Sequence, residues 1–171
     1  AVPVYRELAE GLVAAGYGVL TWDKRTCGPF NNCAANDYPT PSEDLEFDTL
    51  VNDVSAVVAG LAERDDLGEL VVLGHSQGGT IAAAVAAESA AVAGVALVAT
   101  PQPDIVEAMA VQADTLADLV ATAGLGGTPA DDAVTEARSV AAEVAEVAGG
   151  DLTGPPIGGA TREFWAGWIV A

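Results

Sequence analysis

Basic residues are what this chain most lacks: 6 Lys and Arg stand against 25 Asp and Glu, a formal net charge of −19 over 171 residues. A nucleic-acid binder needs a Lys/Arg footprint to displace counterions, and an anionic membrane surface would repel such a chain, so both partner classes are disfavoured. The acidity describes a self-repelling, soluble surface and fits a salty medium; it says little about chemistry. Aromatic residues are also few, 5% of a chain that is 51% hydrophobic, so alanine and valine must make most of the core. That favours closely packed helices and buried parallel strands over a bulky aromatic interior. No apolar stretch reaches the roughly 18 uncharged residues of a membrane span. A basic start leading into an apolar segment, the mark of a signal peptide, is missing, and the chain opens on Ala1 rather than Met, which reads as a missing upstream piece. At this length one domain with a real core is expected.

Cysteine and histidine are scarcer still. Cys27 and Cys33 are the two cysteines, in "TCGPFNNCAAND". Gly28, Pro29 and the asparagines between them allow a tight loop whose ends meet. Two readings stay open: a local disulfide, which implies an extracytoplasmic or secreted protein, or two free thiols in a cytoplasmic one. A metal site is not expected, because no further Cys or His sits nearby. The single histidine is His75.

Along the chain, hydrophobic spacing supplies the elements. Val4, Leu8, Leu12 and Ala15 fall at helical spacing, and Gly16-Tyr17-Gly18 stops that helix. "VLTWD" from residue 19 reads as a short buried strand, and residues 24 to 43 as a loop rich in Pro, Gly and Asn. Phe47, Leu50, Val51, Val54, Val57, Val58 and Leu61 form one helical stripe. "LVVLG" is a second buried strand, residues 76 to 90 an alanine-rich helix, and "GVALVAT", 94 to 100, a third strand closed by Pro101 and Pro103. Strands alternating with helices predict an α/β architecture, a parallel sheet covered by helices on both faces.

After Asp104 two acidic, alanine-rich helices, about 104 to 122 and 130 to 148, follow each other with no strand between them. They read as a helical insertion over the sheet. The expected division is a core over 1–103 and a lid or cap insertion over 104–160. Residues 161–171 then start a returning helix that the chain end cuts off.

One motif carries chemistry. Gly74-His75-Ser76-Gln77-Gly78-Gly79 lies directly after an apolar strand and opens a small-residue helix. A serine on a sharp strand-to-helix turn has its hydroxyl lifted above the carboxyl ends of the strands, where α/β sheets bind ligands. Flanking glycines relieve crowding against the neighbouring strand and helix. The helix N-terminus then faces the site, and the backbone N–H of Gln77 is placed to stabilise an oxyanion. The competing reading is a serine that caps a helix, which needs neither the glycines nor the strand. His75, the adjacent residue, is directed away from the hydroxyl by strand alternation, whereas a general base must come within roughly 3 Å of the proton it removes. Asp104, in "TPQPD", reads as the N-cap of the following helix, with a triad acid as the alternative. Asp23 and the "DKR" after the first predicted strand read as a local ion pair.

"GHSQGG" between strand and alanine-rich helix resembles the α/β-hydrolase superfamily, in particular its serine esterase and peptidase-like members. "LAEGLVAAGYGVLTWDKRTCG" resembles the helix and strand that follow the oxyanion loop there, "DTLVNDVSAVVAGLAE" the next helix, and "GVALVATPQP" the strand leading into a lid. The likeness covers most of residues 1 to 103. It implies a partial α/β-hydrolase fold in which Ser76 attacks an ester, thioester or peptide-like carbonyl, with no cofactor and a small-molecule acyl substrate. It also implies a triad acid and histidine later in the chain than Ser76, and no histidine stands there, so the chain reads as a fragment. Two alternatives remain: a non-catalytic relative that binds an acyl ligand or a partner, and a serine acyltransferase or perhydrolase of the same fold. A haloalkane dehalogenase is disfavoured, since it needs a carboxylate where Ser76 stands. Oligomeric state is not legible.

Overall fold

A computed structural model describes residues 3–22, 24–25, 45–101 and 104–171 of the chain. The chain divides into two compact units, residues 1–39 and 40–171. Cys27, Cys33 and Asp23 lie outside the described residues.

In the first unit the predicted amphipathic helix forms α1, Pro3–Ala14. It ends where Gly16 takes a left-handed φ of 95°. Gly16 N–H then donates to the Val13 carbonyl at 3.0 Å and Tyr17 N–H to the Leu12 carbonyl at 3.1 Å. These bonds occupy carbonyls that the helix end leaves open, and only glycine takes that φ without crowding a Cβ. Of the strand expected over 19–23, residues 19–22 are described, and they join no ladder among the described residues. Apolar β-branched composition makes a segment fit for a sheet, but a strand exists only through hydrogen bonds to a neighbour.

The second unit runs α2 (Phe47–Ala62), β1 (Leu70–His75), α3 (Gln77–Glu88), β2 (Val92–Val98), α4 (Ile105–Thr122), α5 (Thr128–Ala148) and α6 (Arg162–Val170). The architecture is α/β, a small parallel sheet flanked by helices. β1 and β2 pair in parallel, from Val71 opposite Gly94 to His75 opposite Val98. α3 is the crossover between them, as a parallel pair requires. Alternation sorts β1 cleanly: Leu70 and Val72 pack against the core, whereas Val71, Leu73 and His75 are exposed. Val95 and Leu97 of β2 are exposed as well. Among the described residues the expected helical cover is therefore found on the α3 side.

That core joins Leu50 and Val58 of α2, Ile81 and Val85 of α3, Ile105 of α4, and Val144 and Val147 of α5. Its few aromatics are gathered in one place. Phe47 stacks on Trp168 at a centroid distance of 5.8 Å, Trp168 stacks on Trp165 at 5.4 Å, and Phe164 meets Phe47 edge-on at 6.0 Å. Burying a side chain such as Phe47 stabilises by about 1.5–3 kcal/mol, and aromatic pairing adds about 0.5–1.5 kcal/mol per pair. Both indoles are satisfied: Trp165 Nε1–H donates to the Ile157 carbonyl at 3.1 Å, and Trp168 Nε1–H to Thr80 Oγ1 of α3 at 3.3 Å.

α4 and α5 follow one another with no strand between them and pack together. Short loops between sequential helices give antiparallel neighbours. Arg162, 6% exposed, ties α5 to α6. Its Nη1 donates to Glu146 Oε2 at 3.4 Å and to the Asp151 carbonyl at 3.2 Å, and its Nη2 lies 3.7 Å from Glu143 Oε2. A charge so far from water persists only where carboxylates and carbonyls replace its hydration. Among the described residues no helix is long and apolar enough to cross a membrane.

Candidate active site

Ser76 stands between the last residue of β1 and the first of α3. The turn there is abrupt. Ser76 has φ 53° and ψ −126°, a conformation that L-residues rarely adopt and that costs of order 1–3 kcal/mol. Its N–H donates to the Val98 carbonyl at 2.9 Å, so the ladder with β2 continues one residue past β1. Its carbonyl accepts from Gly79 N–H at 2.8 Å, which starts α3. The strain is thus held between a sheet bond on one side and a helix bond on the other. The Ser76 side chain makes no capping hydrogen bond to α3. The serine occupies the N-cap position without acting as a cap, which removes the usual structural reason for a serine there.

Glycines permit the turn, though not all in the expected way. A Cβ on Gly74 would run into the backbone of Gly78 and come within 2.6 Å of Gly79 N. A Cβ on Gly79 would meet Thr100, 2.7 Å from its Cβ and closer still to its Oγ1. At Gly78 nothing lies within 4 Å of an added Cβ. The expected relief of crowding thus falls to Gly74 and Gly79. Gly78 contributes its backbone as the surface that Gly74 must clear, and its own missing side chain leaves open space.

Across the ladder a second strained residue marks the same level of the sheet. Ala99, directly after β2, has φ 48°. Ser76 and Ala99 are the only non-glycine residues with positive φ among the described residues. Since His75 pairs with Val98, the two stand side by side at the carboxyl ends of both strands. Open α/β sheets bind ligands at those ends. Gln77, the first residue of α3, is half-buried. Its peptide N–H belongs to the first turn of the helix, where the dipole favours negative charge.

His75 lies on the exposed face of β1 with Val71 and Leu73, whereas Gly74 is buried on the face that meets α3. Asp104 is the N-cap of α4, its Oδ1 accepting from Val106 N–H at 2.8 Å. Cys27 and Cys33 cannot be related to the site, lying outside the described residues. Among the described residues are two shallow open hollows of about 370 and 350 Å³. One lies between α1 and residues 19–21 and the other at the tip of the α4–α5 hairpin, and neither is lined by residues 74–79. What describes the candidate site is its backbone geometry. Thr100 is a neighbour that sequence reasoning did not single out. Its only signal there was its place at the end of an apolar run.

A family model described as "Serine aminopeptidase, S33" matches residues 2–147, most of the chain. No curated protein and no solved structure matches it.

Proposed function

The chain belongs to the serine aminopeptidase, S33, family within the α/β-hydrolase superfamily, and from that premise we propose that Ser76 is the nucleophile of a serine hydrolase acting on ester, thioester or peptide-like bonds. The observation that carries this reading is the Ser76 backbone itself. Ser76 is held at φ 53° between a sheet bond and a helix bond, and its side chain caps nothing, so the hydroxyl has no part in building the turn. Strain of this kind is retained where a side chain must be presented to a reactant.

In the proposed reaction Ser76 Oγ attacks the substrate carbonyl while a base takes its proton, forming the Oγ–C bond and an oxyanion. The Gln77 N–H stabilises that oxyanion. Collapse expels the alcohol, thiol or amine, which takes up the proton from the base. Water, activated by the same base, then cleaves the acyl-enzyme and restores the serine. The base is a residue other than His75, which sits on the far face of β1 from the Gly74–α3 contact. An acyltransferase would share every step but the last, with another nucleophile in place of water. The α4–α5 hairpin, following β2 with no intervening strand, is proposed to act as a lid over the acyl group.

The test is covalent. In the protein that carries this chain, a fluorophosphonate probe is expected to label Ser76, and Ser76→Ala is expected to abolish both labelling and ester hydrolysis. Labelling that survives in Ser76→Ala would overturn the assignment. A second reading is a binding protein that keeps the turn without using it. Absence of labelling in the wild-type protein would put that reading first.

A further inference from the structure

The contact between Thr100 and Gly79 has no part in the reaction as written, yet it leaves no room for a side chain at position 79. Thr100 is the second residue after β2, directly behind the left-handed Ala99. Its side chain lies so close to Gly79 that a Cβ there would stand 2.6 Å from Thr100 Cγ2 and 2.7 Å from its Cβ. The Thr100 hydroxyl is fully shielded from solvent and has no hydrogen-bond partner among the described residues. A buried, unpaired hydroxyl costs about 1–3 kcal/mol, so threonine is not the residue that stability alone would favour here. The hydroxyl is also too enclosed to touch a substrate. What remains is position.

The first turn of α3 is gripped from two sides. On one side it lies against the end of β1, where only a glycine at 74 clears the Gly78 and Gly79 backbone. On the other it lies against the end of β2 through Thr100. Gly79 sits three residues after Ser76 and bonds to its carbonyl, so any displacement of Gly79 is passed straight to Ser76 and to the Gln77 N–H between them. We infer that Thr100 is a positioning residue: its side chain clasps Gly79 and sets the first turn of α3, and with it the spacing between the Ser76 hydroxyl and the Gln77 N–H. The kink at Ala99 serves the same end by turning the chain so that Thr100 meets the helix. The inference rests on the reading of Ser76 as nucleophile, and it assigns a task to a residue outside the Gly-His-Ser-Gln-Gly-Gly stretch.

The experiment exchanges the two sides of the contact. Gly79→Ala, Thr100→Gly and the double variant are made in the protein that carries this chain, with Ser76→Ala as the blank. Each is measured twice, by the second-order rate of fluorophosphonate labelling at Ser76 and by its thermal midpoint. Gly79→Ala forces its methyl into Thr100 and is expected to slow labelling by about tenfold or more, because a displacement of around 1 Å at a reacting group can cost about a hundredfold. In the double variant the methyl fills the space that Thr100 vacates, and labelling is expected to return to within about threefold of wild type. Thr100→Val keeps the shape and is expected to label at nearly the wild-type rate. The inference is overturned if Gly79→Ala labels normally, or if the double variant regains its thermal midpoint but not its labelling rate. If wild-type protein is not labelled at all, the nucleophile reading fails on its own. The midpoints then decide the clasp: recovery in the double variant supports the contact, and additive losses reject it.

Discussion

The turn around Ser76 and the α4–α5 hairpin are built from the same small residues and use them in opposite ways. At the turn, Gly74 and Gly79 are small because backbone and side-chain atoms already occupy the space a Cβ would take. At the hairpin tip, Gly124, Gly126 and Gly127 have nothing within 4 Å of an added Cβ. Alanines in α3 let the helix lie against the sheet, with Ala82 and Val85 buried, whereas most alanines of α5 are exposed and serve helix propensity and charge spacing. Composition alone would rank the two regions alike. Only what stands opposite each residue separates them, and the difference marks one region as a constrained site and the other as adaptable.

Substitutions can break that comparison. The largest effect is expected from Gly74→Ala, which drives a methyl into the α3 backbone. A stability loss of about 3 kcal/mol is expected in urea unfolding. Gly126→Ala, the matched change in the hairpin loop, is expected to stay within about 0.5 kcal/mol of wild type. Equal losses at the two positions would erase the distinction.

A smaller effect separates cap from catalyst. Asp104→Ala removes the acceptor for Val106 N–H and is expected to cost about 1 kcal/mol. Asp104→Asn keeps the cap and is expected to leave both stability and labelling at Ser76 unchanged. Full stability with abolished hydrolysis in Asp104→Asn would make Asp104 the triad acid instead.

The smallest effect concerns the connector that follows α5. The Thr153 hydroxyl and then its N–H donate to Asp151 Oδ1 at 2.7 and 2.9 Å, and with the nearby Arg162 charge they hold this carboxyl below the usual carboxylate range. A lowered folded-state pKa stabilises above the unfolded value of about 3.9, and the contribution fades as pH falls through the folded value. Asp151→Asn is therefore expected to be slightly less stable than wild type near neutrality, with the difference closing in acid. A pH-independent difference would show that the carboxylate charge has no part in it. Asp151 is solvent-exposed, so the effect is small.

Much of the second unit was legible because its signals are local. The stripe from Phe47 to Leu61 has the period of a helix, and α2 occupies Phe47–Ala62. "LVVLG" and "GVALVAT" are apolar runs bounded by turns, and they became β1 and β2, the latter beginning at Val92 and ending at Val98. The placing of Ser76 between strand and helix was legible in the same way. Residues 19–22 misled because a good strand composition carries no information about whether a partner is at hand. Gly78 and Gly79 are indistinguishable in sequence, and the difference between them lies in Thr100, whose side chain meets only Gly79.

By itself, then, the sequence determined the alternation of helices and strands, the acidic surface, and a serine on a strand-to-helix turn. All of these follow from periodicity and composition over a few consecutive residues. Tertiary structure alone decided which glycines are compulsory, why Phe164 and Trp168 gather around Phe47, how Arg162 is buried among Glu143, Glu146 and Asp151, and what Thr100 touches. Those are facts of close approach between segments as many as 121 residues apart, the span from Phe47 to Trp168. No local pattern encodes which distant atoms will fill the space beside a given Cα, because that depends on the packing of every element at once.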